Sequence, residues 1–192
     1  MKFTKAQRNN AILFVIILLI TIPATRKPIQ VFMTRLWAGT PDMVSIENQK
    51  VIEQKDWTLE DLYGQPFKVD IYRTAQSRGN AYTFVSFWAT WCPPCIAELP
   101  SMQAMYERYG NSISFYFVSN EDPETLTNFM REKGYIFPVY IGKSTPPAPL
   151  NYNNIPHNYL IGPDNKIIID EVGASDWDSR GIHSQLDALI AQ

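Results

Sequence analysis

Residues 81–95 read AYTFVSFWATWCPPC, and this stretch decides the fold. Up to Ala89 it is aromatic, β-branched and small, without the polar alternation of a half-exposed strand, and so predicts a strand buried on both faces. The strand runs directly into Cys92 and Cys95, with Pro93 and Pro94 between them. Residues 96–109 then take up a helical period, with Leu99, Met102, Met105 and Tyr106 on one side and a bend predicted at Pro100. A cysteine at such a turn occupies the helix N-terminus, where unpaired backbone N–H groups and the helix dipole stabilise a thiolate. Cys92 is therefore expected to be the exposed nucleophile, and Cys95, one turn in, the resolving thiol. Pro93 suits the first helical turn, where its missing N–H costs nothing. The spacing serves the chemistry: the attacking thiolate forms a mixed disulfide, and the second thiol must reach it without backbone motion.

Working outward, residues 57–69 (WTLEDLYGQPFKV) predict a short strand, a turn around Gly64 and Pro66, and a second strand reaching Ile71. A polar loop, RTAQSRGN, follows at 73–80. Residues 113–118 predict a second buried strand. Asp122 and Pro123 open a helix that ends near Lys133, before Gly134. A short strand is expected at 137–141, then a Pro- and Asn-rich loop over 142–154. Two apolar runs, 157–161 and 166–172, flank GPDN as a hairpin, and Ile182, Leu186, Leu189 and Ile190 mark a C-terminal helix over 178–190. Parallel strands joined by helices and followed by an antiparallel pair predict an α/β domain, with a mixed central β-sheet flanked by helices.

At the N-terminus, residues 11–22 (AILFVIILLITI) are apolar except for Thr21, with Lys2, Lys5 and Arg8 before them and Arg26 and Lys27 after. A cleaved signal, an uncleaved anchor and a buried helix all fit such a run. The stretch IPATRKP after it lacks the small residues of a cleavage site, and no cysteine follows to carry a lipid. We expect an anchor over 1–25 that meets the bilayer through residues 11–24, a juxtamembrane linker over 26–54 and a folded domain over 55–192. Within the linker, 29–37 (IQVFMTRLW) carries apolar and aromatic positions suited to a membrane interface.

The net charge of -2 hides an asymmetry. Residues 1–40 hold six basic and no acidic residues, which leaves eleven basic against nineteen acidic in the remainder. A folded part so acidic lacks the footprint that nucleic acid requires. A zinc site would need two further ligands, for which the sequence has His157 and His183 but no second cysteine pair, and a strand-to-helix turn with two prolines poorly resembles a zinc knuckle, so no metal and no separate cofactor is expected.

FWATWCPPCIAELP resembles the redox segment of TlpA/ResA-type membrane-anchored thiol-disulfide oxidoreductases of the thioredoxin superfamily. The likeness extends to WTLEDLYG upstream and to IPHNYLIGPDNKII and GASDW downstream. It implies a thioredoxin fold, with a redox-active Cys92–Cys95 disulfide in place of a cofactor and Pro156 as a cis-proline facing the pair. In such proteins that proline exposes the backbone of the preceding residue, here Ile155, to a substrate strand. Glu98 matches a carboxylate of the group, predicted to exchange a proton with Cys95, while Ser86 stands where thioredoxins keep a buried aspartate. Trp91, Pro93, Pro94, Ile155 and His157 are the expected substrate-facing residues. His157 departs from the small hydroxyl residues common after the cis-proline, and proximity to the disulfide and exposure to solvent are both open to it. The resemblance further implies an extracytoplasmic domain that reduces protein disulfides, apocytochrome c among them, with electrons from a membrane thiol donor. Oxidation or isomerisation of disulfides, and a non-catalytic binding module, are the alternatives. Thiol peroxidases of the superfamily place Pro seven residues and Thr or Ser three residues before the reactive cysteine. Val85 and Ala89 stand there instead.

Overall fold

The computed structural model describes residues 4–53, 57–69, 71 and 82–191. The polar loop expected at 73–80 and the boundary expected at 54–55 lie outside them. At the centre is the predicted buried strand, β3 (Tyr82–Phe87), every residue of which is buried. It feeds α3 (Pro93–Tyr109), and the chain returns through β4 (Ile113–Ser119), α4 (Pro123–Lys133) and β5 (Val139–Gly142). β3 and β4 pair in parallel from Tyr82↔Ile113 to Phe87↔Val118, and β4 pairs in parallel with β5. Phe84 points to one face, packing with Leu99, Met102, Trp177 and Leu186; Val85 and Phe87 point to the other, with Trp57 and Tyr159. Covering both faces is what the unbroken apolar composition of β3 requires.

The predicted hairpin is β6 (His157–Ile161) and β7 (Ile167–Val172), with β6 antiparallel to β3. On the far side β1 (Trp57–Asp61) pairs antiparallel with β5 and with β2 (Pro66–Val69), completing a seven-stranded sheet in the order β2-β1-β5-β4-β3-β6-β7. The C-terminal helix α5 (Arg180–Ile190) is capped by Ser179, whose hydroxyl accepts from the Ile182 N–H. α4 is capped by Asp122 and stops at Gly134, whose φ of 71° suits a residue without a side chain.

Two helices precede the domain, α1 (Lys5–Thr21) and α2 (Pro23–Trp37), separated where Pro23 opens the second. Among the described residues no helix is long and apolar enough to cross a membrane. α2 lies along α3. Lys27 Nζ donates to the Thr90 carbonyl at 2.8 Å and Arg35 Nε to the Ala97 carbonyl at 3.0 Å. Pro100 has no N–H to offer the Ile96 carbonyl one turn back. Arg35 Nη2 stands 3.5 Å from that oxygen. Phe32, Leu36 and Trp37 of α2 remain exposed.

Residues 40–53, which read as a polar linker, are docked on the domain. Val44 N–H donates to the Ile168 carbonyl, Ile52 N–H to that of Asn165, and Ile167 N–H to that of Lys50. β7 pairs with β6 on one side only, and this segment takes up the backbone groups of its other edge. The core makes a direct prediction. Phe84 is fully buried against Phe115, Phe117 and Trp177, so Phe84→Ala should lower the unfolding free energy by about 3–5 kcal/mol in denaturant titration.

Candidate active site

Cys92 is the N-cap of α3, with extended backbone, and its sulfur accepts the Cys95 N–H at 3.3 Å. The two prolines account for this geometry. Of the first N–H groups of a helix, those of residues 93 and 94 do not exist, so Cys95 supplies the first free donor, and it points at Cys92 Sγ. The two cysteines form a disulfide with Cα atoms 5.3 Å apart. Contrary to the expected exposure of the nucleophile, Cys92 is 3% exposed and Cys95 is completely buried. The cover comes from the segment before β6, where the Ile155 carbonyl oxygen lies 3.7 Å from Cys92 Sγ and the Ile155–Pro156 peptide is cis.

The turn before Cys92 is gripped from two sides. Thr90 donates its N–H and its hydroxyl to the two carboxylate oxygens of Glu121, both at 2.6 Å, while its carbonyl accepts from Lys27. Glu121 follows β4, and the parallel pairing of β3 with β4 brings their C-terminal ends together. Nothing in the local sequence around Glu121 marks it as part of the site. Trp88 is buried against Phe129 and Phe137, whereas Trp91 is 65% exposed at the rim. A groove of about 240 Å³ opens beside the disulfide, lined by Trp91, Asn120, Glu121, Tyr152, Asn153 and Ile155 among others.

Glu98 is 1% exposed, one turn beyond Cys95 on the same helix. Its carboxyl oxygens accept from Asn158 Nδ2 at 3.1 and 3.2 Å, from the Ser175 N–H at 3.2 Å and from Trp177 Nε1 at 3.3 Å. Burial pushes its pKa from 4.5 up to about 8, and the hydrogen bonds from Asn158, Ser175 and Trp177 only partly oppose this. The GASDW stretch thus supplies two of the carboxyl's donors. Ser86 lies near Met102 Sδ on this same face of the sheet.

His157 takes up neither position left open for it. Asn158 turns toward Glu98 and α3, so its neighbour His157 faces the other side of the sheet, buried and bonded to Asp170 and Tyr159. Cys92, Cys95, Trp91, Pro93, Pro94, Ile155 and Pro156 are brought together at one end of the sheet, Glu98 lies directly beneath, and His157 stands behind. Among the described residues no group of three or more His, Cys, Asp or Glu could hold a metal ion.

The thiol-disulfide oxidoreductase ResA of Halalkalibacterium halodurans is 33% identical over 90 residues, 46% of this chain and 48% of that protein. The Bacillus cereus ResA is 28% identical over 124 residues, covering 63% of this chain and 68% of its relative. The chain thus matches about half the length of the first of these relatives. A DsbF homologue from Corynebacterium diphtheriae superposes with a TM-score of 0.57, over 80% of this chain and 95% of that one, at 12% identity. That likeness is one of fold, and the fold is thioredoxin-like. Residues 52–169, more than half of the sequence, match the AhpC/TSA family. The chain belongs to the AhpC/TSA family.

Proposed function

We propose that this protein is a thiol-disulfide oxidoreductase that reduces disulfides of other proteins through Cys92 and Cys95. The observation that carries the reading is the Cys95 N–H aimed at Cys92 Sγ at the N-terminus of α3, a donor that serves a thiolate better than a disulfide sulfur. In the reduced protein the Cys92 thiolate attacks a substrate disulfide and expels one substrate thiolate, which takes up a proton. Cys95 then gives up its proton and attacks Cys92 Sγ, releasing the second substrate thiol. Two electrons pass from the protein to the substrate, one of the two protons comes from Cys95 and the other from solvent, and the Cys92–Cys95 disulfide remains. Glu98 is suited to exchange a proton with Cys95, accepting it in its ionised form, because a carboxyl raised to about 8 lies close to the ordinary thiol value of about 8.5. Trp91 and Ile155 line the groove in which the substrate chain would lie, and Pro93 and Pro94 follow Cys92 in the first turn of α3.

In this reading residues 1–25 anchor the chain in the bilayer through 11–24, residues 26–54 connect, and residues 55–192 work on the extracytoplasmic side. Structural disulfides persist there unless a dedicated reductase removes them, and electrons come from a membrane thiol donor. The likeness to ResA proteins and the exposed apolar side chains of α1, including Leu13 and Phe14, support the reading. Precursors of c-type cytochromes are the proposed substrates. Peroxide is not, given Val85 and Ala89 at the positions noted above.

Three measurements test this. Equilibration of the full chain against glutathione or dithiothreitol buffers should give a reversible two-electron transition at or below about -250 mV, whereas one near about -120 mV would make the protein an oxidant. Cys95→Ser should accumulate a mixed disulfide with a protein substrate, visible by mass, and Cys92→Ser should form none. Glu98 stays protonated in the folded protein between 4.5 and about 8, where the unfolded chain loses its proton. Stability of the oxidised protein should therefore fall as pH rises through that window, and Glu98→Gln should flatten the fall in thermal melts.

A further inference from the structure

On the sheet face opposite α3, a chain of hydrogen bonds through the buried His157 and Tyr159 leads from Asp170 of β7 to the wall of the groove. His157 Nε2 lies 2.7 Å from Asp170 Oδ1, and His157 Nδ1 lies 3.1 Å from the Tyr159 hydroxyl, with the two rings stacked at 4.2 Å. The Tyr159 oxygen accepts the Asn151 N–H at 3.3 Å, and its hydroxyl lies 3.4 Å from the Asn151 carbonyl. Asn151 leads into Tyr152, Asn153 and Ile155, which line the groove beside Cys92. His157 itself directly follows the Ile155–Pro156 pair.

With a neutral imidazole the donors and acceptors in this chain cannot all be served at once. A carboxylate only accepts, so the nitrogen facing Asp170 carries a hydrogen. With a neutral ring, Nδ1 is then an acceptor and takes the Tyr159 hydroxyl hydrogen, leaving the Asn151 carbonyl without it. With a protonated ring, Nδ1 donates to the Tyr159 oxygen, and the hydroxyl hydrogen is free to turn to the Asn151 carbonyl. One proton on the imidazole therefore moves one hydrogen bond from the ring to the loop. The other titratable groups around it are Asp170 on β7, Lys50 of the docked N-terminal segment at 4.0 Å from Asp170 Oδ2, and Tyr159. Burial raises the Tyr159 hydroxyl to about 12, so it keeps its hydrogen.

We propose that His157 is a positioning residue of the redox site, acting through Tyr159 on the 151–155 wall of the substrate groove, and that its protonation tightens this wall. The inference rests on the oxidoreductase reading and adds to it a proton-dependent grip on protein substrates. It predicts that a chain needing the groove is affected and that a small disulfide is not.

Tyr159→Phe removes one oxygen and keeps the ring that packs on His157 and Phe87. Full-length protein and this variant are assayed from pH 5 to 8 with insulin as the protein disulfide and dithiobis-nitrobenzoate as the small one. In the parent, KM for insulin should rise with pH while the small probe shows no matching change. In the variant, insulin KM at acid pH should rise about 2- to 10-fold, the range of one lost hydrogen bond, with kcat nearly unchanged and the pH dependence gone. His157→Gln should likewise lose the pH dependence. Equal slowing of both probes, or an insulin KM that keeps its pH dependence in both variants, overturns the proposal. A parent protein that reduces neither probe overturns the oxidoreductase reading beneath it, an outcome distinct from the other two.

Discussion

Everything at this site depends on one backbone hydrogen bond, from the Cys95 N–H to Cys92 Sγ at the point where β3 becomes α3. The bond exists because β3 is buried on both faces and cannot shift. α3 must then start where the strand ends, with two prolines that leave the first donor at Cys95. A helix end is the one place where a backbone donor stands free of intrahelical partners, and here a sulfur receives it.

The rest of the structure holds that junction in place. Glu121 and Lys27 fix Thr90 on one side of Cys92, and Ile155 covers it on the other. Beneath it a carboxyl is buried among three donor residues, an arrangement in which a proton is lost only near pH 8. A charged Glu98 in the same cavity costs more than a neutral one, and this cost is what makes the group responsive to a thiol beside it. The N-terminal helix α2 belongs to this framework as well, since Arg35 supplies donors to carbonyls in the stretch of α3 that Pro100 leaves short of one.

The legibility of these parts differed for physical reasons. β3, α3, β4, α4 and the β6–β7 hairpin were readable because each carries a local signal: a run of buried side chains, a cap, a proline or a turn. The start of α3 at Pro93 was readable from the prolines and the strand-to-helix turn, although apolar periodicity begins only at Ile96. Residues 40–53 looked like a linker because their ties are backbone bonds to the edge of β7, and such bonds leave no trace in side-chain patterning. The burial of Cys92 was missed for a related reason, since Ile155, which covers it, comes from a distant part of the chain.

By itself the sequence determined the strand-to-helix turn and the cysteine pair at its tip, on which the proposed dithiol chemistry rests, because strand burial, proline geometry and two-residue spacing act over a few neighbouring residues. Only the tertiary structure decided that Glu121 clamps Thr90, that Ser175 and Trp177 share Glu98 with Asn158, and that His157 turns away from the disulfide toward Asp170. Each of these joins groups far apart in the chain, and which face of a strand a side chain takes is fixed by the pairing register, a property of the assembled sheet.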